Sequence, residues 1–203
     1  MYSYPRSSYE AVIDSTSGGL DMFGLANFQR LDSTGASVLQ TSEYANVGGP
    51  GGGYSVALRW QHLGGAIDKQ YLRVFGGCNI ACGPNDQYHI RFYDTTVAIP
   101  RFNNFGGQIT VLLIQNPTGW TRTIDGTIYF WSAAGTLLGN MGFSLPPKET
   151  LVLNTTTVPG VAGISGTITV AHDGGYGNLA MKSVALEPST GFSFDSPGLY
   201  KPR

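Results

Sequence analysis

Turn residues come too often in this chain for helices to form between them. The clusters "DSTGAS" (32–37), "GGPGGG" (48–53), "NPTG" (116–119), "SAAGT" (132–136), "LPPKE" (145–149) and "HDGGYGN" (172–178) recur at short intervals. No window of 12 residues keeps apolar positions at i, i+3, i+4 and i+7 without a glycine or proline interrupting it. Strand signals fill the gaps instead. The first half offers 9–13, 23–31, 37–40, 54–61, 71–76 and 88–93. The second offers 109–115, 126–132, 137–143, 150–153, 166–171 and 178–186, then an extended piece at 192–194. Many short strands at this spacing predict an all-β sandwich or barrel.

Composition narrows the partners. Charged residues make up 12% of the 203, about half the usual ~25%, and the formal net charge is −1. No basic stripe is present to neutralise phosphates, so nucleic acid is not an expected partner. No polybasic patch is present to hold an anionic membrane surface, and no apolar run reaches the ~18 residues of a membrane helix. The opening "MYSYPRSSYEAVID" has no apolar segment after a basic start, so it does not read as a signal peptide. An uncharged, aromatic chain rich in Gly, Thr, Ser and Asn suits a secreted or surface β-protein, and the expected location is extracellular or at the cell surface.

The two cysteines, Cys78 and Cys82, lie in "GGCNIACGPND". The expectation is a local disulfide, which the C-x3-C spacing permits if the backbone turns sharply; free thiols are the alternative. Such a bridge closes a very short loop and stabilises little through chain entropy. Zinc would need further ligands, and His89 alone does not complete a set; no metal and no cofactor is expected.

"FYDTTVAIPRFNNFGG" (92–107) reads as a join between domains. It ends one set of strands, carries Pro100 and precedes a fresh strand. "FDSPGLYKPR" (194–203) echoes "FYDTTVAIPR" (92–101), each running from Phe through Asp to Pro-Arg, as the ends of two tandem sandwiches would. The predicted domains are therefore 1–98 and 99–203. One larger β-sandwich is the alternative.

The second half carries "IPRFNN" (99–104), "TVLLIQNPT" (110–118), "IYFWSAAGTLL" (128–138), a long stretch from "LPPKETLVLNTTTVPG" to "LAMKSVALEP" (145–188) and "TGFSFDSP" (190–197). In these residues it resembles β-sandwich modules near the C-termini of large secreted bacterial proteins. The first half matches that setting only loosely, through "DKQYLRVFGG" and "NDQYHIRFYDTT". The resemblance implies an extracytoplasmic Ig-like module, and so two tandem Ig-like antiparallel sandwiches. It carries no catalytic residues to transfer.

Candidate chemistry is sparse. In "GTIYFWS" one pair, Ile128 with Phe130 or Tyr129 with Trp131, must face the core and the other face out. Core packing is the expectation for Trp131, together with Ile128, Val111, Leu113, Val152, Ile168, Val170 and Val184. Trp120, in the polar connection "PTGWTRT" beside Arg122, is the candidate sugar-stacking or docking residue. Glu10, Glu43, Glu149 and Glu187 are scattered, with no paired carboxylates in a hydrolase motif. His62, His89 and His172 have no G-x-S-x-G partner. Asp125 stands outside any calcium loop, and "GGPGGG" lacks the Lys of a phosphate loop. "NTT" at Asn154 fits a glycosylation sequon but reads first as a Thr-rich strand end. At the start of the chain, Pro5 confines a strand to the residues after it. Tyr2, Tyr4 and Tyr9 could then serve an assembly contact by a terminal strand. These signs add up to a non-enzymatic extracellular structural or adhesive protein. Self-association through β-strand edges is the expected partnership, a self-assembling subunit of a surface fibre is one form of the role, and a carbohydrate-binding module that takes glycans is the alternative.

Overall fold

The computed structural model describes residues 1–17, 28–44, 55–75, 87–118 and 122–202. The chain is all-β, its described strands pair antiparallel, and no α-helix occurs among the described residues. Two compact units divide it, Met1–Asp94 and Thr95–Arg203.

The first unit contains β1 (Tyr2–Ser3), β2 (Ser7–Ser17), β3 (Phe28–Leu31), β4 (Val38–Thr41), β5 (Glu43–Tyr44), β6 (Val56–His62), β7 (Asp68–Lys69), β8 (Tyr71–Val74) and β9 (Gln87–Asp94). A four-stranded sheet runs β5-β6-β2-β9, a three-stranded one β4-β3-β8, and β1 pairs β7. Strand alternation sets the core: Tyr9, Ala11 and Ile13 of β2 pack with Val56, Leu58 and Trp60 of β6 and Phe28 of β3. As Pro5 requires, β2 starts only at Ser7, and it then runs centrally between β6 and β9. Contrary to the expectation that a strand begins only after Pro5, the short β1 lies before it, paired by Tyr2 with Lys69 and Ser3 with Asp68; two residues that end ahead of the proline need no ladder donor from it. The terminal strand thus pairs inside its own unit. A central pair of charges supports the four-stranded sheet: Arg59, opposite Glu10, binds its carboxylate at 2.8 Å and that of Glu43 at 2.9 Å, with Glu10 and Arg59 both buried.

The second unit contains β10 (Val97–Asn103), β11 (Ile109–Gln115), β12 (Ile124–Ser132), β13 (Leu137–Leu145), β14 (Thr150–Asn154), β15 (Ser165–His172), β16 (Ala180–Glu187), β17 (Phe192–Pro197) and β18 (Leu199–Tyr200), with a 3-10 turn at Thr155–Thr157. Two sheets, β13-β12-β15-β10-β18 and β14-β11-β16-β17, sandwich one apolar core. Phe102 and Phe130 meet edge to face at 5.6 Å within it, beside Ile99, Leu112, Ile114, Ile128, Ile168 and Val170. Burying each such side chain contributes about 1.5–3 kcal/mol.

The stretch read as a join contains a strand. β10 pairs β15 on one side and β18 on the other, so the division falls before residue 97 rather than at 98/99. Proline is tolerated in this inner strand because the register slips between Ile99 and Phe102, and Pro100 sits in that irregularity, where no ladder donor is needed. Close backbone approach fixes another position. A Cβ on Gly166 would lie 1.8 Å from the Trp131 carbonyl oxygen, so β15 can lie against β12 there only as glycine.

Candidate interaction surfaces

The expected core of the second unit divides by strand face. Ile128, Ile168 and Val170 are fully buried. Trp131 is not in the core: it follows Phe130, which points inward, so strand alternation turns it outward, half-buried. Its indole N–H donates to the Thr169 hydroxyl at 2.8 Å, and its ring lies 6.3 Å from that of Tyr129. Thr167, opposite Trp131 in the register, is exposed.

Val111, Leu113, Val152 and Val184 also leave the core, for the same reason. In β11, Thr110, Leu112 and Ile114 point inward, so Ile109, Val111 and Leu113 form the opposite face. The register sets Val184 beside Val111, Leu186 beside Ile109 and Val152 beside Leu113. Val152 is 64% exposed. The outer face of the four-stranded sheet is therefore apolar across three strands. At one end it opens into a shallow hollow of ≈ 480 Å³ lined by Leu113, Gln115, Thr150, Lys182 and Pro197 among others. An ion pair, Lys182 with Asp195 at 2.6 Å, shares that face, with Lys182 opposite Leu113 and Asp195 opposite Val184. Within "ITVLLIQ" the run "VLLI" puts apolar residues on both faces of β11, and that run was the sequence signal for a strand covered on two sides.

The other expected site residues are not brought together. Trp120 and both cysteines, Cys78 and Cys82, lie outside the described residues. The Arg122 guanidinium donates to the Asp173 carbonyl at 2.7 Å and lies 3.5 Å from its carboxylate, so it braces the loop that follows β15. Tyr9 is buried and its hydroxyl accepts the Tyr4 N–H, which removes it from any assembly surface. Tyr2 and Tyr4 are exposed, at 61% and 56%. Glu10 and Glu43 do converge, but on Arg59, whose guanidinium binds both carboxylates. His172 is buried; its Nδ1 accepts the Gly174 N–H, and its ring meets Tyr200 edge to face at 6.2 Å. Tyr200 is also held by Leu179, whose N–H it accepts and whose carbonyl it donates to, and burial pushes its phenol up to about 12. The Asn154 side chain accepts from the Thr156 N–H and hydroxyl, capping the 3-10 turn. Among the described residues, no three His, Cys, Asp or Glu side chains gather as a metal site would require.

Sheet edges are the remaining feature. β13 ends the five-stranded sheet; its nine residues, "LLGNMGFSL", include no charge and no proline. Sequence reading had located this strand but not its place at an edge. Absence of charge in a long strand was the available signal.

No family model matches the chain, and neither does any curated protein or solved structure.

Proposed function

We propose that this chain is a non-enzymatic structural or adhesive β-sandwich protein of the extracellular space or cell surface, one that works by contact with other chains. The observation that carries this reading is the outer face of the four-stranded sheet in the second unit. Val111, Leu113, Val184, Leu186 and the exposed Val152 present a continuous apolar surface. Contiguous apolar surface on a folded protein marks a contact site. The resemblance of the second half to modules of large secreted bacterial proteins supports the location. Low overall charge supports association between copies, because little repulsion opposes it. No described helix is long and apolar enough to cross a membrane.

The test is the size of the full chain across a concentration series, by light scattering and by electron microscopy of the same samples. Species larger than a monomer are expected, and Val152→Glu, a change at an already exposed position, should reduce them. A chain that stays monomeric throughout, with no particles or filaments in images, would overturn the self-association reading.

A second reading, glycan binding, draws on Trp131 and not on Arg122. A partly exposed indole on a sheet face, beside exposed Thr167, offers a ring and a hydroxyl of the kind a sugar stacks on. Retention on insoluble glycans that disappears in Trp131→Ala would favour it; equal retention of both proteins would remove it.

A further inference from the structure

We infer that β13 is the strand through which two copies of this chain join, antiparallel across a two-fold axis at Gly142, over residues 140–144. The inference rests on the self-association reading and adds a contact distinct from the apolar face of the four-stranded sheet.

The argument begins with how the sheet edges are guarded. A long edge strand exposes backbone donors and acceptors that a second strand can pair with, and proteins block this with charge, proline or brevity. In the second unit, β17 carries Asp195 and Pro197. β14 is preceded by Pro146, Pro147, Lys148 and Glu149, and β18 is two residues long with Lys201 and Pro202 after it. In the first unit, β9 carries Arg91 and Asp94, and β8 carries Arg73. β13 is as long as any strand of its unit and has no such guard. It pairs β12 along its length, and no other described strand pairs its far side.

Local geometry narrows the open part. Near Leu138 and Gly139 the strand is overhung by the loop after the 3-10 turn. A Cβ on Gly139 would lie 2.6 Å from the Pro159 oxygen, and one on Gly160 would lie 2.6 Å from the Leu138 oxygen. At the other end the Leu145 carbonyl already accepts from the Asn116 amide at 2.9 Å. Residues 140–144 are left. Met141 and Phe143 turn toward the core of the unit, while Asn140, Gly142 and Ser144 stand exposed on the other face.

The same composition selects the occupant. An incoming strand must bring no charge into this uncharged edge, and it must tolerate Gly142 at the centre. A second β13 does both. Paired antiparallel about Gly142, it sets Asn140 opposite Ser144 of the second copy and Met141 opposite Phe143, a sulfur–aromatic contact. The two Gly142 residues meet at the axis, where the space a Cβ would take holds only the Gly126 oxygen at 3.8 Å. The contact is isologous and closes as a dimer. The two five-stranded sheets then run on as one.

The register makes the test specific. In the full chain, Asn140→Lys with Ser144→Lys places lysine opposite lysine twice across the axis. Asn140→Lys with Ser144→Glu places lysine opposite glutamate twice. Both positions are exposed, so neither pair of changes touches the core. Sedimentation equilibrium should show a wild-type dimer, weakened about tenfold or more by the lysine–lysine variant and held within about threefold by the lysine–glutamate variant. If larger species persist unchanged in both variants, the contact lies elsewhere: the β13 inference is overturned while the self-association reading stands. Equal weakening in both variants overturns the register and the two-fold with it. A wild-type chain that is monomeric throughout overturns inference and reading together.

Discussion

The two units hold their sheets together with different chemistry. In the second, the apolar core runs from Val97 and Ile99 through Phe102 and Phe130 to Val170, and the polar side chains buried beside it, such as Asn104, Thr110, Thr155 and His172, include no Asp, Glu, Lys or Arg among the described residues. In the first, the apolar cluster around Tyr9, Phe28 and Trp60 is accompanied by buried charge. Glu10 and Arg59 are 5% and 7% exposed, and Arg59 also reaches Glu43. A second polar knot ties the chain start to the same unit. Arg30 lies over the Trp60 ring at 5.0 Å and donates to Gln70, whose amide donates in turn to Asp68. Burial lowers the Arg30 pKa to about 10, partly offset by Asp68. Buried apolar contact degrades gradually when one group is trimmed. A buried ion pair fails steeply when one partner goes, because the other charge is stranded. The comparison teaches that the first unit depends on matched charges and the second on shape.

Truncation at each centre is the strongest way to break that comparison. Arg59→Met leaves Glu10 charged and buried, and should cost about 3–5 kcal/mol in the first unit. Phe130→Ala empties the edge-to-face pair with Phe102 and should cost about 3–5 kcal/mol in the second. Amide exchange followed by mass spectrometry separates the two. Protection should fall in β2 and β6 for the first variant, and in β12 and β15 for the second. Replacing Glu10, Glu43 and Arg59 together with apolar residues should recover much of the Arg59→Met loss, since no charge is then stranded. If the triple replacement is as unstable as the single one, the ion pair is not what supports the first unit.

Alkaline titration sharpens the comparison from the other side. Tyr200 has its phenol raised from 10.0 to about 12, first by burial. A raised folded pKa means that the neutral form is favoured by folding. The stabilisation is therefore complete below about pH 10 and is lost as pH climbs from there through about 12. Phenolate absorbance should show a late-titrating step, and Tyr200→Phe should reduce it. Exchange protection in β18 and β10 should fall over the same window. A Tyr200 that ionises with the exposed tyrosines would show that its contacts with Leu179 and His172 are not held in solution.

How much of this was legible beforehand follows from what alternation can and cannot say. Strand class came from turn spacing, and β11, β12, β13, β15 and β16 were located to within a few residues because each is bounded by Gly, Pro or Asn. β10 was hidden because Pro100 argues against an inner strand, and only the irregular pairing at Ile99/Phe102 resolves the conflict. Periodicity gave two opposite faces for "IYFWS" without saying which was inward. Trp131 was placed inside on size alone, yet Ile128 and Phe130 fill the core and Trp131 lies on the far face. Val111, Leu113 and Val184 were misplaced for a related reason: an apolar residue in a strand was equated with a core residue, and this sheet has apolar residues on both faces. The edge position of β13 depends on pairing, which no local pattern in one chain encodes.

The smallest expected effect lies in the turn between β3 and β4. Asp32 accepts from the Thr34 hydroxyl at 2.7 Å and from the Thr34, Ala36 and Ser37 N–H groups at 3.1–3.3 Å. Four donors converging on one carboxylate oxygen favour its charged form, and the carboxyl is held down to about 2, chiefly by the Thr34 hydroxyl, with desolvation opposing it and the Ser37 and Ala36 N–H groups adding to it. A lowered folded pKa reverses the sign found for Tyr200. The contribution is complete above about pH 4 and is lost as pH falls from there through about 2. The group lies in a surface turn, so the consequence should stay local. Amide resonances of Thr34, Ala36 and Ser37 should shift with an apparent midpoint near 2, and Asp32→Asn should abolish the midpoint while leaving the β3–β4 register intact. A midpoint near the ordinary 3.8 would mean that the four hydrogen bonds do not persist in solution. The first unit's dependence on fixed charge would then be confined to its buried pairs.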